Sequence, residues 1–262
     1  LLESRGLGDV YKRQHKIIET YRILAADRDN ITYDYGKNIK DFKGVDIDYL
    51  QEKIKLFNPN HSEKFDFPKP HGGGTAYMNT IDKDGLGVSL IQSNFHGIGS
   101  RIGVGSFGFF LHNRGCGFNL DSKHPNYLTP GRKPLHTLSP TIWSKNGNLE
   151  FIAGTRGGRY QPQLLIQTIL PYIQKSDSFE EIIKKPRWVI ENFSSETISK
   201  LRFEKINNED LEILLKKGHE VEVENKLNKA YGPISIIYKK NDGNFEGVCD
   251  VRVGTEKVFN SF

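Results

Sequence analysis

The feature that most constrains this chain is an abrupt change of pattern at residue 75. Residues 30–74 are polar and irregular and finish in a Pro/Gly-rich run, PKPHGGG, at 68–74. Residues 75–81 and 88–93 then have the composition of two strands, joined by a segment whose Asp84-Gly85 pair favours a hairpin turn. The sequence therefore predicts a linker that leads directly into a β-hairpin, and the first residue of that hairpin, Thr75, carries a hydroxyl.

The remaining pattern mixes helices and strands in an irregular order. Helical periodicity is clear at 15–29, 161–173 and 210–217, and it is weaker at 46–56 and 179–185. Further strands are predicted at 109–112, 139–143, 149–153, 188–191, 197–203, 220–223 and 234–239, with Asn146-Gly147 as a second hairpin turn. This order predicts a layered α+β domain without a βαβ repeat.

The first fourteen residues, LLESRGLGDVYKRQ, show no sustained periodicity. The string GLGDVYKRQ within them resembles translated sequencing-adaptor read-through, so we predict that residues 1–14 are foreign to the natural protein. On this interpretation the natural chain continues upstream of His15, and its compartment is left undecided.

Composition argues against several classes of partner. The chain has 37 Lys+Arg against 32 Asp+Glu with both signs interspersed, so no nucleic acid partner is expected. The two cysteines lack CxxC spacing and the eight histidines lack ligand spacing, so we expect free thiols and no metal site. No segment reaches the roughly 18 apolar residues of a spanning helix, so no membrane partner is expected. No organic cofactor is implied.

Thr75 would become a catalytic nucleophile if the peptide bond before it were broken. Its new α-amino group would then lie on the same residue as the hydroxyl and serve as general base. The three preceding glycines allow the strained backbone that self-cleavage between Gly74 and Thr75 requires. A flexible loop before an edge strand is the plain alternative, and the local pattern alone favours that alternative.

A second candidate feature is the Gly157-Gly158 pair, between a predicted strand and the helix predicted from residue 161. Backbone amides near a helix N-terminus can hold a developing oxyanion, although an ordinary glycine turn has the same sequence. The glycine-rich stretch at 97–105 lacks both the strand-turn-helix setting and the lysine of a phosphate-binding loop, so we do not assign it to phosphate.

Several motifs, in one order and at matching spacing, resemble the small subunit of the gamma-glutamyltransferase family. They are TAYMNTIDKDG at 75–85, SLIQS at 89–93, LHN at 111–113, PLHTLSPTI at 134–142 and GTRGG at 154–158. Upstream, AADRD at 25–29 is similar to a late helix of the large subunit. Near the end, CDVR at 249–252 is similar to the closing SDPR of the family, with Cys249 and Val251 in the serine and proline positions.

The resemblance implies a four-layer αββα sandwich of the N-terminal-nucleophile hydrolase type, incomplete at its N-terminus. Residues 15–74 would be the end of the large subunit with its linker, and 75–262 the small catalytic subunit. Its activity would be hydrolysis or transfer of a gamma-glutamyl or related amide, with the missing large-subunit segment as partner. The implied catalytic residues are Thr75, Ser93, Gly157 and Gly158, and the implied substrate-binding residues are Asn113, Arg114, His136 and Thr137.

The sequence also departs from the family pattern. Ala76 and Tyr77 replace a threonine and a histidine, Phe95 replaces a substrate-binding asparagine, Gly117 stands where an aspartate holds the substrate's α-amino group, and His136-Thr137 replaces paired serines. These losses weaken the case for a gamma-glutamyl head group and suit a glutathione hydrolase-like or acylase-like branch. The alternatives are a cephalosporin or glutaryl acylase-like amidase and a non-catalytic relic. Because the family's carboxylate-binding arginine lies further upstream, we expect the chain as given to be inactive.

Overall fold

The structure, a computed structural model, describes residues 8–36, 44–64, 74–191, 200–254 and 258, without the side chains of residues 8–12 and 29. The helices in this part are α1 Gly8–Ala26, α2 Arg28–Ile31, α3 Ile47–Ile54, α4 Gln161–Ile173, α5 Phe179–Ile182 and α6 Asn208–Lys216. The strands are β1 Thr75–Ile81, β2 Gly87–Ser93, β3 Thr141–Lys145, β4 Asn148–Thr155, β5 Trp188–Ile190, β6 Lys200–Phe203, β7 Glu220–Val223, β8 Ile234–Lys239 and β9 Phe245–Cys249. None of these helices is long and apolar enough to cross a bilayer.

The strands form three sheets. β1 and β2 make an antiparallel hairpin, and β3-β4-β8-β9 make an antiparallel four-stranded sheet. In the third sheet, β5-β6-β7, the last two strands are parallel and α6 connects them. Helices and sheets are thus mixed as predicted, and one βαβ unit is present.

The hairpin and the helices cover opposite faces of β4. A Cβ atom on Gly154 would clash with the ring of Tyr77, and one on Gly87 would lie 2.6 Å from Cδ1 of Ile152, so Ile152 and Gly154 of β4 face the hairpin. The odd-numbered residues Phe151 and Ala153 are buried in a core with side chains of α4 and α5. Alternation along β4 therefore builds three stacked layers: helices, sheet and hairpin.

The other side of the hairpin is exposed. Met78 is 56% exposed, and Val88 and Leu90 are 46% and 47% exposed. A second core joins α1, through Ile18, to the β5-β6-β7 sheet and to Leu214 of α6. Residues before Thr75 therefore pack tightly against residues after it.

Two predicted elements differ from the structure, and one strand, β9, was not predicted. α1 begins at Gly8 and ends at Ala26, so it includes part of the 1–14 segment; the prediction that this segment is foreign stays a prediction. Residues 109–112 form no strand, and Phe110 makes an isolated bridge with Gly103. β9 was missed because Gly247 interrupts its pattern, and that glycine leaves room for Val258, whose Cγ1 lies 2.7 Å from where a Cβ would be. The predicted strand residues 197–199 and the glycines at 72 and 73 lie outside the described residues.

Candidate active site

Thr75 and Ser93 face each other at the open end of the hairpin. They are paired in the β1–β2 register, and Thr75 Oγ1 donates a hydrogen bond of 2.9 Å to Ser93 Oγ. Ser93 Oγ in turn donates to the carbonyl oxygen of Gly74 at 3.0 Å and accepts from the Phe95 amide at 3.0 Å. The two predicted hydroxyls are therefore in contact, and the second is bonded to the carbonyl of the peptide bond before Thr75.

Position 74 has no room for a side chain, so it requires glycine. Its backbone approaches the carbonyl oxygen of Gly97 so closely that a Cβ atom would clash there. Gly74 is not among the residues with positive φ, so the conformational freedom that the sequence suggested is not the reason for this glycine. Gly97 is the first residue of the glycine-rich stretch at 97–105, which we did not assign to phosphate. The backbone at the start of this stretch therefore packs against the candidate cleavage position.

Gly157 and Gly158 lie toward the same end of the sandwich as Thr75. Gly87, which pairs with Ile81, lies against Ile152, whereas the ring of Tyr77 lies against Gly154, nearer the C-terminus of β4. The two glycines follow that C-terminus. Both have positive φ, 124° and 57°, which favours glycine. The turn then enters α4 at Gln161, so its amides lie at a helix N-terminus.

The segment that precedes β8 packs against this glycine turn and stabilises it. The hydroxyl of Thr155, which is fully buried, lies 2.8 Å from the Pro233 carbonyl and 3.0 Å from the Arg156 carbonyl. Gly232 packs so closely on Arg156 that a Cβ would clash with that carbonyl. Sequence reasoning missed Thr155, because its role depends on residues nearly 80 positions away.

A buried charge cluster anchors the same segment. Arg187 Nη1 donates to the Gly232 carbonyl at 2.5 Å, and its Nη2 forms a 2.5 Å ion pair with Asp250. Asp250 also accepts from the Ile234 amide at 2.9 Å. Burial lowers the pKa of Arg187 to about 10, against the opposing effect of Asp250. Asp250 belongs to the CDVR motif, so that motif contributes to the support of the glycine turn.

The side chain of Asn113 forms its hydrogen bonds with backbone groups. Its Oδ1 accepts from the His96 amide at 2.9 Å, and its Nδ2 lies 3.3 Å from the His96 carbonyl and 3.1 Å from the Gly99 carbonyl. The side chain thus ties the loop after Ser93 to the segment that leads to Arg114. This geometry gives Asn113 a positioning role beside the role predicted for it in substrate binding.

Arg114 is a buried cation beside Ser93. It is 7% exposed, its Nη2 donates to the Ser93 carbonyl at 3.4 Å, and its Cζ lies 4.9 Å from the centre of the Phe95 ring. Nη1 has no hydrogen-bond partner, and no carboxylate among the described residues forms an ion pair with Arg114. Burial lowers its pKa. Burial and then the Arg114 charge also lower the pKa of His96 and of His136.

A cleft of about 130 Å³ lies between Phe95 and the turn that begins at Arg114. None of its lining residues is acidic: Phe95, Cys116, Gly117, Phe118, Asn119, His124, Asn126, Leu135 and Arg159. Sequence reasoning singled out Phe95 and Gly117 but gave no signal for the others. Of the remaining predicted residues, His136 is exposed and Thr137 is buried; neither lines the cleft.

A second buried polar cluster joins His15, Glu19 and His219, whose ligand-type atoms lie within 4.8 Å of one another. His15 Nε2 lies 2.8 Å from the Asn58 carbonyl, so it carries the proton, and His15 Nδ1 accepts from His219 Nε2 at 2.8 Å. Glu19 already pairs with Arg22 at 2.5 Å. These bonds occupy both ring nitrogens of His15 and Nε2 of His219, and we interpret the cluster as a neutral histidine pair that connects α1 to the loop after α6. Among the described residues, Cys116 and Cys249 form no disulfide.

Comparison with known proteins adds independent findings. The family profile described as gamma-glutamyltranspeptidase matches residues 2–259. The chain is 31% identical over 246 residues to the oxamate amidohydrolase proenzyme of Klebsiella pneumoniae, covering 91% of this chain and 45% of that protein. It is 30% identical to the glutathione hydrolase-like YwrD proenzyme of Bacillus subtilis, covering 92% and 46%. The crystal structure of cephalosporin acylase from Bacillus halodurans superposes with a TM-score of 0.79 at 26% identity, covering 93% and 44%. The chain thus spans less than half the length of these relatives.

Proposed function

Because this chain belongs to the gamma-glutamyltranspeptidase family, we propose that it is part of an amidohydrolase or acyltransferase that cleaves itself before Thr75 and then works through a Thr75 acyl-enzyme. The observation that carries this proposal is the hydrogen-bond chain from Thr75 Oγ1 through Ser93 Oγ to the Gly74 carbonyl. The names of the two curated relatives, both proenzymes, agree with it.

This geometry supports self-cleavage through the following steps. Thr75 Oγ1 attacks the carbonyl carbon of Gly74, the C–N bond of that peptide breaks, and the Thr75 nitrogen takes the proton. Ser93, which already donates to the Gly74 carbonyl, stabilises the charge that develops on this oxygen. Water then hydrolyses the ester, which leaves a carboxylate on Gly74 and a free amine and hydroxyl on Thr75.

Turnover would use the same atoms. The Thr75 amine accepts the hydroxyl proton as Oγ1 attacks the substrate amide, and it passes that proton to the leaving amine. The amides of Gly157 and Gly158 would hold the oxyanion. Water or an acceptor amine releases the acyl group. On this proposal residues 75–262 form the small subunit of a four-layer sandwich, and the piece that ends at Gly74 stays bound through buried contacts such as His15 with His219.

The test is the intact mass of the purified full-length protein, which includes the large-subunit segment, measured together with amide hydrolysis. We expect two pieces that separate only on denaturation, and we expect Thr75→Ala to abolish both cleavage and turnover. Thr80→Ala is the matched control, since Thr80 lies on the exposed face of the same strand. A single uncleaved chain that hydrolyses amides would exclude the mechanism, because Thr75 would lack its free amine.

Experiment can distinguish two alternatives to this proposed function. A cephalosporin or glutaryl acylase-like amidase is favoured by the acylase structure among the relatives and differs in which amide is cleaved, so turnover of glutaryl anilide against gamma-glutamyl anilide separates the two. A non-catalytic relic would neither cleave itself nor hydrolyse either compound.

A further inference from the structure

We propose that Gln161 is a positioning residue, which holds the PLHTLSP segment (residues 134–140) at a fixed place relative to the Gly157-Gly158 turn. A substrate that contacts this segment would then meet the oxyanion donors of the turn in the geometry that turnover needs. The inference rests on the proposed function, because it concerns turnover at Thr75. Gln161 acts through the two segments and not by contact with the substrate.

The first observation is that Gln161 is bonded to both segments. Its backbone amide donates to the Gly158 carbonyl, and its side chain, which is fully buried, accepts from the Ser139 amide through Oε1 at 2.9 Å. A buried amide that loses its acceptor is destabilised, so this bond resists separation of the two segments. One residue therefore connects the glycine turn, through its backbone, to the PLHTLSP segment, through its side chain.

The second observation is that the two connected segments are walls of one cleft. Leu135 of the PLHTLSP segment and Arg159 of the glycine turn both line the cleft of about 130 Å³. His136 and Thr137, which the sequence predicts as substrate-binding residues, follow Leu135 directly. A displacement of this segment relative to the turn would therefore change the shape of the cleft and move both predicted binding residues.

The third observation is that the same helix has a second glutamine with the same kind of bond and a different partner. Gln163 is also fully buried, and its Oε1 accepts from the Ile190 amide at 2.8 Å. Ile190 belongs to β5 and packs in the core that contains Ile18 and Leu214. The two glutamines are thus matched in burial and in hydrogen bonding. Gln163 connects α4 to a core strand, whereas Gln161 connects it to a wall of the cleft.

The experiment compares Gln161→Met with Gln163→Met in the full-length protein, which includes the large-subunit segment. Intact mass follows self-cleavage, and hydrolysis of gamma-glutamyl anilide and glutaryl anilide measures turnover. In Gln161→Met we expect kcat to fall about 10- to 100-fold, because the substrate is misplaced relative to the glycine turn. Self-cleavage should keep its rate, since the Gly74 carbonyl is held by Ser93. Gln163→Met should change neither rate.

A conservative variant and a measurement without catalysis complete the test. Gln161→Glu keeps an acceptor oxygen for the Ser139 amide and should restore most of kcat. Hydrogen exchange of the backbone amides should accelerate about 2- to 10-fold at both 135–139 and 157–159 in Gln161→Met, the effect of one lost hydrogen bond. In Gln163→Met the acceleration should be confined to β5.

The inference would be overturned by unchanged exchange at 135–139 and 157–159, or by equal losses of self-cleavage and turnover in Gln161→Met. An equal loss of kcat in Gln163→Met, or a Gln161→Glu variant no better than Gln161→Met, would also overturn it. Faster exchange in both segments of a protein that neither cleaves itself nor hydrolyses either anilide would support the inference and count against the proposed function.

Discussion

Arg187 and Arg252 are as deeply buried as Arg114, but the three side chains differ in whether a carboxylate is paired with them. Arg252 forms ion pairs with Glu204 and Asp250, and Arg187 pairs with Asp250. Arg114 has no carboxylate partner among the described residues and donates one long hydrogen bond to a carbonyl. Burial by itself therefore does not mark a charge as functional; what distinguishes a candidate site is burial without compensation.

The paired cluster also connects distant parts of the chain. Glu204 accepts from Nε of Arg252 and from the backbone amides of Arg187 and Asn228, each at 2.7 Å. These bonds join the end of β6 to the start of β5 and to the turn before β8. Each carboxylate oxygen thus has a donor, and the cluster fixes backbone positions that apolar packing alone would leave less well defined.

The largest expected effect comes from breaking this pairing. Glu204→Ala should lower the free energy of unfolding by about 3–5 kcal/mol, since it leaves Arg252 buried with an incomplete set of partners. Urea unfolding followed by circular dichroism measures this. Glu220→Ala removes an exposed glutamate from β7 and should change the value by less than about 0.5 kcal/mol. Equal effects would mean that the cluster adds little.

The histidine pair tests a third arrangement, in which burial is tolerated because the side chains stay neutral. Burial, followed by the charges of His15, Arg22 and Lys217, lowers the pKa of His219 to about 3 from the usual 6.5. Between pH 6.5 and 3, His219 therefore binds a proton in the unfolded chain but not in the folded chain. Stability should fall by about 2 kcal/mol from pH 7 to pH 5.

The measurement is urea unfolding at several pH values. His219→Gln should flatten the curve in that window. A slope that persists unchanged in the variant would assign the pH dependence to other groups.

The Thr155→Val variant tests whether the segment held by the buried ion pairs influences catalysis at the candidate active site. The valine has the same shape but donates no hydrogen bond, so the Arg156 and Pro233 carbonyls lose a partner. We expect kcat to fall about tenfold through a small displacement of the glycine turn, with KM nearly unchanged. Thr155→Ser should restore kcat. A change confined to KM would contradict a role in positioning the oxyanion site.

The smallest effect on stability is expected at Arg114. Removing an uncompensated charge while keeping the apolar stem, as in Arg114→Met, should leave the free energy of unfolding within about 1 kcal/mol of the original or raise it. The same urea experiment measures this. A loss as large as that of Glu204→Ala would show that Arg114 is compensated in solution, and the contrast between the two regions would then fail.

The sequence predicted most of the local structure. Alternation and turn residues gave β1 its bounds, Thr75–Ile81, and periodicity gave those of α4, Gln161–Ile173, because both patterns depend on near neighbours. The Asn146-Gly147 turn is present with positive φ at both residues, 52° and 79°. The strand predicted at 109–112 is wrong: residues 109–111 bond to residues 100–104 through a few backbone hydrogen bonds and one isolated bridge, and composition alone does not distinguish this pairing from a regular strand.

For the site, the amino-acid pattern is enough to predict which residue types stand at each position of the family pattern, including a threonine at 75, a serine at 93 and the absence of an acid at 117. The pattern does not predict that Gly74 packs on the Gly97 carbonyl, that Thr155 supports the glycine turn, or that Asp250 is paired whereas Arg114 is not; these features appear only in the folded chain. The physical reason is that pairing and desolvation depend on which side chains fold together across long separations. A one-dimensional pattern records the charge of a residue but not whether another residue compensates it.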